Sequence, residues 1–354
     1  MSRKGRSPKT SCRKSGRRFI GGAPPDGWAT TMAAKKKSSR TPAVRYLRYN
    51  LTNSATPGTE TSHYIDLARD LSALNRRLYR QGRDYHVKRV SIVSSNTIAG
   101  VVLNPDVTVG TQNAGRVTIG TIPDSWMARN AWNRGFNIWN KMNKMATANI
   151  KSDIKGTWSD FKVYLSLDSR SATLLNPLDN GGNAVRPGMW VYSQLVTPDG
   201  TTSADTFDLH MLGNHSGSAG SWNSVGLIRS YGESRATVQG ADPNVPTTVS
   251  DDPIMNVFDD GTQIDEIIED LEGQNDFPPY DVDEYPGDDT NMPKPLVVQQ
   301  TTLGADGRAT VGSFTAMCGL LEIETTSPIG NDVYSVLVEL APGSYRGIAA
   351  DVIA

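Results

Sequence analysis

The strongest chemical bias in the sequence is a set of cations at one end of the chain. Arg3, Lys4, Arg6, Lys9, Arg13, Lys14, Arg17, Arg18, Lys35, Lys36, Lys37 and Arg40 are followed by Arg45 and Arg48. Residues 1–48 thus hold fourteen Lys or Arg against one acid, Asp26, for a net charge of +13. The rest of the chain carries −14, so the formal total of −1 hides a strong asymmetry. Lys and Arg neutralise phosphates and release their condensed counterions, which requires charge density rather than fixed geometry. A tail that only aids solubility needs far less charge than this. The first twelve cations are therefore the candidate nucleic-acid-binding residues. The run Lys35-Lys36-Lys37-Ser38-Ser39-Arg40 also suits a nuclear address, and the two roles are compatible.

Other residue types offer weaker chemistry. The histidines are His63, His86, His210 and His215. His210 and His215 lie five apart across Gly213, which is not a zinc spacing, so ordinary core or surface histidines are expected. Gly213-Asn214-His215-Ser216-Gly217 has the outline of a nucleophile elbow but carries His where the nucleophilic Ser belongs. The stretch from Gly110 to Gly120 has neither a Walker lysine nor a GxGxxG pattern, so no phosphate cradle is indicated. Cys12 and Cys318 are the only cysteines, too few for a disulfide framework or a zinc cluster. Residues 236–293 hold 16 Asp or Glu and no Lys or Arg. Asp251-Asp252, Asp259-Asp260, Asp281-Asp283-Glu284 and Asp288-Asp289 are hard oxygen donors of the kind Ca²⁺ takes, without EF-hand spacing. A solvated acidic surface is the plainer reading, and Ca²⁺ at subunit interfaces is the alternative. No catalytic constellation emerges. The expectation is a protein that is not an enzyme and needs no other cofactor.

The elements that must carry these residues read as mainly β. Residues 1–41 mix Lys, Arg, Ser, Gly and Pro with few apolar side chains. Ordering each residue would cost about 1–2 kcal/mol with no core to offset it, which predicts a disordered arm. Val44 to Leu51 predicts a first strand. Leu67, Leu71, Leu74 and Leu78 recur at helical spacing and predict a helix over 62–80, with Arg76, Arg77 and Arg80 in its last turns. Strands are predicted at 85–93, 96–103 and 115–122. A second helix begins at Pro123-Asp124-Ser125, with Trp132, Phe136 and Trp139 on one face that should be buried. Alternation predicts strands at Phe161–Leu167, Met189–Tyr192 and Phe207–Met211, then a loop over 213–224 and a short helix at 225–231. Pro246, Pro253, Pro278, Pro279, Pro286 and Pro293 break up the acidic block, leaving room for one short helix at 264–269. Four strands follow near 295–303, 309–317, 319–326 and 333–341. Short strands with turn signals and only two firm helices suggest a sandwich or jelly roll. No apolar run approaches the roughly 20 residues of a membrane helix, and no apolar stretch follows the first charges as in a secretory signal. The expected divisions are the arm (1–41), the first part of a jelly-roll shell domain (42–235), an acidic surface or projection segment (236–293) and closing strands (294–354).

Short strings in this frame resemble a known family. Ile122-Pro123-Asp124-Ser125-Trp126, the stretch Trp139-Asn140-Lys141-Met142-Asn143, Asp160-Phe161-Lys162-Val163, Asp276-Phe277-Pro278-Pro279-Tyr280-Asp281 and Tyr285-Pro286-Gly287 are similar to capsid proteins of circular, Rep-encoding single-stranded DNA viruses. The bacilladnavirus-like group, whose shell is similar to that of nodaviruses, is the nearest. The resemblance covers most of residues 44–350 and contains no diagnostic catalytic motif. It implies a viral jelly-roll sandwich with helical insertions, a loop-rich acidic projection and an internal arm on the genome. The nodavirus-like pattern includes self-cleavage at an Asn near the C-terminus, but residues 345–354 contain no Asn, so that activity is not carried over.

The function expected from residues and resemblance together is a structural capsid protein that assembles into an icosahedral shell. Its partners would be copies of itself, packaged viral nucleic acid (ssDNA by the resemblance) and a host receptor, with no membrane. Its place would be the virion, and the host nucleus during assembly. A cellular nucleic-acid-binding protein with a β-sandwich domain would explain the arm but not the large acidic body. A carbohydrate-binding jelly roll would leave the arm unexplained.

Overall fold

The computed structural model describes residues 43–104, 107–148, 159–197, 205–218, 221–236, 285–288 and 292–353. Along the chain the strands are β1 (Tyr46–Thr52), β2 (Thr61–Asp66), β3 (Arg83–Ser94), β4 (Ile98–Asn104), β5 (Val107–Gln112), β6 (Arg116–Thr121), β7 (Tyr164–Ser166), β8 (Gln194–Thr197) and β9 (Asp205–Leu212). They continue as β10 (Ser216–Ser218), β11 (Ser221–Gly226), β12 (Leu296–Thr302), β13 (Arg308–Val311), β14 (Phe314–Ala316), β15 (Leu320–Thr326), β16 (Val333–Leu340) and β17 (Ala350–Val352). The helices are α1 (Leu67–Asn75), α2 (Trp126–Thr147), α3 (Leu167–Ser171) and α4 (Leu227–Ala236).

The protein is mainly β. One sheet has the order β1-β16-β3-β13, with β14 and β17 pairing farther along β3; a second has the order β12-β6-β15-β2. Every pairing within these two sheets is antiparallel. Strands β1 and β13 alternate strictly, so each offers one apolar face. In β1, Leu47, Tyr49 and Leu51 are buried while Tyr46, Arg48, Asn50 and Thr52 are exposed. These side chains share one core with Val90 and Ile92 of β3, Val336 and Val338 of β16, Ile119 of β6 and Ile323 of β15. The two sheets therefore face each other as a sandwich, and each large aliphatic buried between them contributes about 1.5–3 kcal/mol.

The chain between β6 and β12 builds a second core. A mixed sheet in the order β10-β11-β9-β7, with β8 on β9, places β9 parallel to both β7 and β11. Phe161, Val163, Phe207, Leu209, Met211 and Val225 are buried there against Ala128, Ala131, Trp132 and Ile138 of α2 and Ile228 of α4. Ser125 caps α2 by accepting the Ala128 N–H at 3.1 Å. At Gly135 an added Cβ would meet Leu227 at 3.0 Å and Phe161 at 3.2 Å, so α2 approaches its neighbours closely there and a larger residue would make one of them shift by a few tenths of an ångström. Tyr64 of β2 and Leu320 of β15 join this second core, which thus packs against the second sheet of the sandwich. Tyr285, near the end of the acidic block, is also buried in it.

Several local expectations are corrected. The helix expected over 62–80 is a strand followed by a shorter helix. Ser62, Tyr64 and Ile65 pair with β15, and α1 starts only after Asp66, whose Oδ1 accepts the Arg69 N–H at 3.0 Å. Arg76 then adopts a left-handed conformation, φ 52° and ψ 37°, which ends α1 before Leu78. The strand expected over 161–167 shrinks to β7, because Ser166 and Ser169 form a capping box that opens α3. Residues 189–192 are not a strand: Trp190 Nε1 and Tyr192 Oη both donate to Asp66 Oδ2, at 3.1 and 3.0 Å. The loop expected over 213–224 contains β10 and part of β11, which pair with each other. On α2, Trp132 is buried and stacks on Phe136 with centroids 5.3 Å apart, but Phe136 and Trp139 are only half-buried. The helix expected at 264–269 lies outside the described residues, as does the block 236–293 except for residues 236, 285–288, 292 and 293.

Candidate nucleic-acid interface

The twelve cations singled out in the sequence, from Arg3 to Arg40, lie outside the described residues. What is described is the point where their segment joins the fold. The Val44 N–H donates to Asn75 Oδ1 at 2.7 Å, and Asn75 Nδ2 donates back to the Val44 carbonyl at 3.1 Å. The basic segment is therefore tethered at the last residue of α1, one position before Arg76 and Arg77. Both arginines are exposed.

From that point the outer face of the first sheet continues the positive charge. Arg48 of β1, Lys88 and Arg89 of β3, and Arg308 of β13 are all exposed. A register shift at Glu339/Leu340 of β16 lets Lys88 and Arg89 lie together on this face. Glu339 answers both, with Lys88 Nζ at 2.8 Å from Oε1 and Arg89 Nη2 at 3.1 Å from Oε2. These cations hold the Glu339 carboxyl below its usual pKa, the Lys88 hydrogen bond contributing most. Arg48 and Arg308 have no ion-pair partner among the described residues. The outer face of the second sheet has the opposite sign. A cavity of about 310 Å³ there is lined by Glu60, Asp168, Glu322 and Glu324, with Lys294 as the cation among its lining residues. Arg116 pairs with Glu60 and lies 3.6 Å from Glu324.

Three buried polar clusters hold the framework. In the first, Asp70 accepts from Tyr49 Oη at 2.6 Å and Arg69 Nε at 2.8 Å. Asp66 Oδ2 accepts from Gln81 at 3.2 Å as well as from Trp190 and Tyr192. Burial raises both carboxyl pKa values, that of Asp70 to about 7, with Arg69 opposing. In the second, Asp332 accepts from Ser94 (3.0 Å), Asn96 (2.7 Å), Asn113 (2.9 Å) and Ser327 (2.8 Å), tying three loops at one end of the sandwich. The third contains the two spaced histidines. His210 Nε2 faces the Asn214 carbonyl at 2.9 Å and so carries the proton, leaving Nδ1 to accept from Ser224 Oγ at 2.7 Å. Burial lowers the His210 pKa to about 4, so the ring is neutral. The Gly226 N–H donates to His215 Nδ1 at 3.0 Å, which leaves Nε2–H for Glu233 at 3.1 Å. Each ring nitrogen of the pair thus has a structural partner. Ser224 and His210 make the contact of an activated hydroxyl, but both are fully buried.

Among the described residues no group of three or more His, Cys, Asp or Glu could hold a metal ion. The carboxylates proposed for Ca²⁺ lie in the acidic block, where only Asp288 is described. No described helix is long and apolar enough to cross a membrane. No family model, curated protein or solved structure matches the chain.

Sequence reasoning found the basic segment but not the arrangement beside its entry point: the spacing reads Arg76 and Arg77 as helix-end charges and Trp190 as a strand residue, whereas α1 ends at Asn75 and Trp190 is bonded to Asp66. Asp66 and Asp70 did leave a signal. They stand inside the apolar run Tyr64-Ile65-Asp66-Leu67-Ala68-Arg69-Asp70-Leu71, where a charged residue must find buried partners.

Proposed function

We propose that this chain is the coat subunit of a small icosahedral virus, a structural rather than catalytic protein that packages nucleic acid through its basic N-terminal segment. The observation that carries the reading is the path of the chain through the sandwich. Strands β1, β3, β13 and β16 belong to the first sheet, and β2, β6, β12 and β15 to the second. In order the chain alternates between sheets from β1 to β2, β3 and β6, stays in the second sheet for β12, and alternates again through β13, β15 and β16. This order matches the double Greek key of a jelly roll, an architecture used by viral shells, lectins and cupins, and so supports the reading. The +13 segment favours the shell among these, since it supplies a polyanion partner that lectins and cupins do not need.

In this reading residues 1–41 stay unstructured until they meet nucleic acid, and the acidic block lies on the particle surface. The packaged strand is single-stranded DNA by the sequence resemblance. Copies of the chain are its main partners, a host receptor meets the outer surface, and the virion is its final location. The Lys35–Arg40 run would direct it to the host nucleus for assembly. Negative-stain microscopy of the purified full-length chain, with absorbance at 260 and 280 nm, tests the proposal. Closed shells containing nucleic acid are expected. Monomers or dimers that bind nucleic acid without closing would replace the coat subunit with a cellular binding protein.

A further inference from the structure

The end of α1 forms one wall of a cleft of about 300 Å³. Arg76, Arg77 and Lys162 line it, and none of its lining residues is acidic. Leu78, Pro187, Met189 and Trp190 make its apolar part. Cations at a helix C-terminus commonly just offset the helix dipole, but that role would not require the facing aromatic wall. The wall is fixed in place. Trp190 is pinned through its indole N–H to the buried Asp66 carboxylate at 3.1 Å, and Lys162 Nζ lies 4.8 Å from the centre of its ring. Beside it, the Met189 side chain is 99% exposed. An ordered aromatic beside a fully exposed apolar side chain, rimmed by the exposed Arg76 and Arg77, is the combination that holds unpaired bases: rings stack on the apolar surface while charges take the phosphates. The left-handed turn at Arg76 directs Arg77 and Leu78 off the helix and toward the 187–190 segment.

We propose that this cleft binds one nucleotide of a single-stranded nucleic acid, its base against Trp190 and Met189 and its flanking phosphates on Arg76 and Arg77. The inference rests on the packaging function proposed above and names where the folded domain grips the strand. A duplex would offer this cleft only phosphates, because its bases are already paired and stacked. The chain enters the fold from the basic segment at Val44, which is hydrogen-bonded to Asn75, the residue before Arg76.

The test uses the full-length protein and a short oligothymidylate carrying a photoreactive thymine. Irradiation should give an adduct in the peptide containing Met189 and Trp190. In the double variant Arg76→Ala/Arg77→Ala the adduct should disappear, and affinity at low salt should fall by about 10-fold or more. The slope of log affinity against log salt should become shallower by about 1.4, at roughly 0.7 per lost phosphate contact on a single strand. A second variant, Met189→Asp, places a negative charge on a side chain with almost no packing and should also lose the adduct with its melting temperature unchanged. Adducts confined to residues 1–42, or an unchanged slope in the double variant, would overturn the site, as would inorganic polyphosphate displacing the strand as well as unlabelled oligothymidylate does. Failure here stays distinct from failure of the coat-subunit reading: shells can close without this adduct, and the adduct can form on a chain that never closes a shell.

Discussion

Replacing Asp70 with Asn removes one ionisable carboxyl from the interior of the sandwich and measures what its ionisation costs there. Asp70 is fully enclosed, and burial lifts its pKa from 3.8 to about 7, with Arg69 and the Tyr49 hydroxyl offsetting only part of the effect. A carboxyl whose folded pKa lies above its unfolded value holds its proton more tightly in the fold. Its contribution to stability is therefore most favourable in acid and declines as pH rises from about 4 to about 7, then levels off. The difference between the two pKa values corresponds to roughly 4 kcal/mol at full ionisation. Asn cannot ionise, and its amide keeps one acceptor for Arg69 Nε and one donor toward the Tyr49 oxygen. The expectation is that Asp70→Asn matches or falls slightly below the native chain near pH 5 and exceeds it near pH 8 by a few kcal/mol. Burial also raises the pKa values of Asp66, Asp84 and Asp160, so both proteins will lose stability with rising pH. The informative quantity is the gap between them. Urea unfolding of unassembled protein, followed by tryptophan fluorescence at the two pH values, measures it. A gap that does not change with pH would refute the assignment of the proton to Asp70.

Other perturbations follow from the same packing. Trp132→Ala should cost about 3–5 kcal/mol in denaturant unfolding, the usual range for a buried large aromatic, while Trp139→Ala should cost clearly less because that ring is half-buried. Asp332→Ala strands the donors of Ser94, Asn96, Asn113 and Ser327, at about 1–3 kcal/mol for each that water cannot reach. Hydrogen exchange should show the loops around 94–97, 113–115 and 327–332 opening first, and unchanged protection there would count against the network. If the acidic block is a solvated outer surface, EDTA should leave particles intact and protease should nick the block in whole particles. Shells that swell on chelation would instead place shared Ca²⁺ at the interfaces.

Strands β1 and β15 and the first half of β16 were legible because each buries one face and so alternates in sequence. The strand expected at 85–93 is β3, and those expected at 319–326 and 333–341 are β15 and β16, within a residue or two. The second helix was legible for a similar reason, with its cap at Ser125 and aromatics at helical spacing. Failures came where side-chain hydrogen bonds displaced the sheet ladder. Trp190 and Tyr192 look like strand residues in sequence, yet both are committed to Asp66, a partner more than 120 positions away. Leu78 fits the leucine stripe of α1, but the left-handed Arg76 removes it from the helix, and nothing in the local sequence announces a non-glycine residue in that conformation. The cleft was invisible for the same reason, since its two walls come from segments about a hundred residues apart.

The charges of the folded unit argue for a direction. Cations gather on the outer face of the first sheet and at the end of α1, where the basic segment enters. Glu60, Asp168, Glu322 and Glu324 gather on the outer face of the second. The acidic block returns to the fold on that second side. Tyr285 is buried in the core that packs against the second sheet, and the Gly287 carbonyl accepts the Gly213 N–H at 2.8 Å. Lys294 and Pro295 then lead directly into β12, the edge strand of the same sheet. A polyanion held near the first sheet is thus separated from Glu60, Asp168, Glu322 and Glu324 by the thickness of the sandwich. Reversing the subunit would set those acids against the phosphates at distances where screening by physiological salt, about 8 Å, is incomplete. For a subunit that packages nucleic acid, the favourable arrangement therefore turns the first sheet and the cleft toward the strand, and the acidic face of the second sheet away from it.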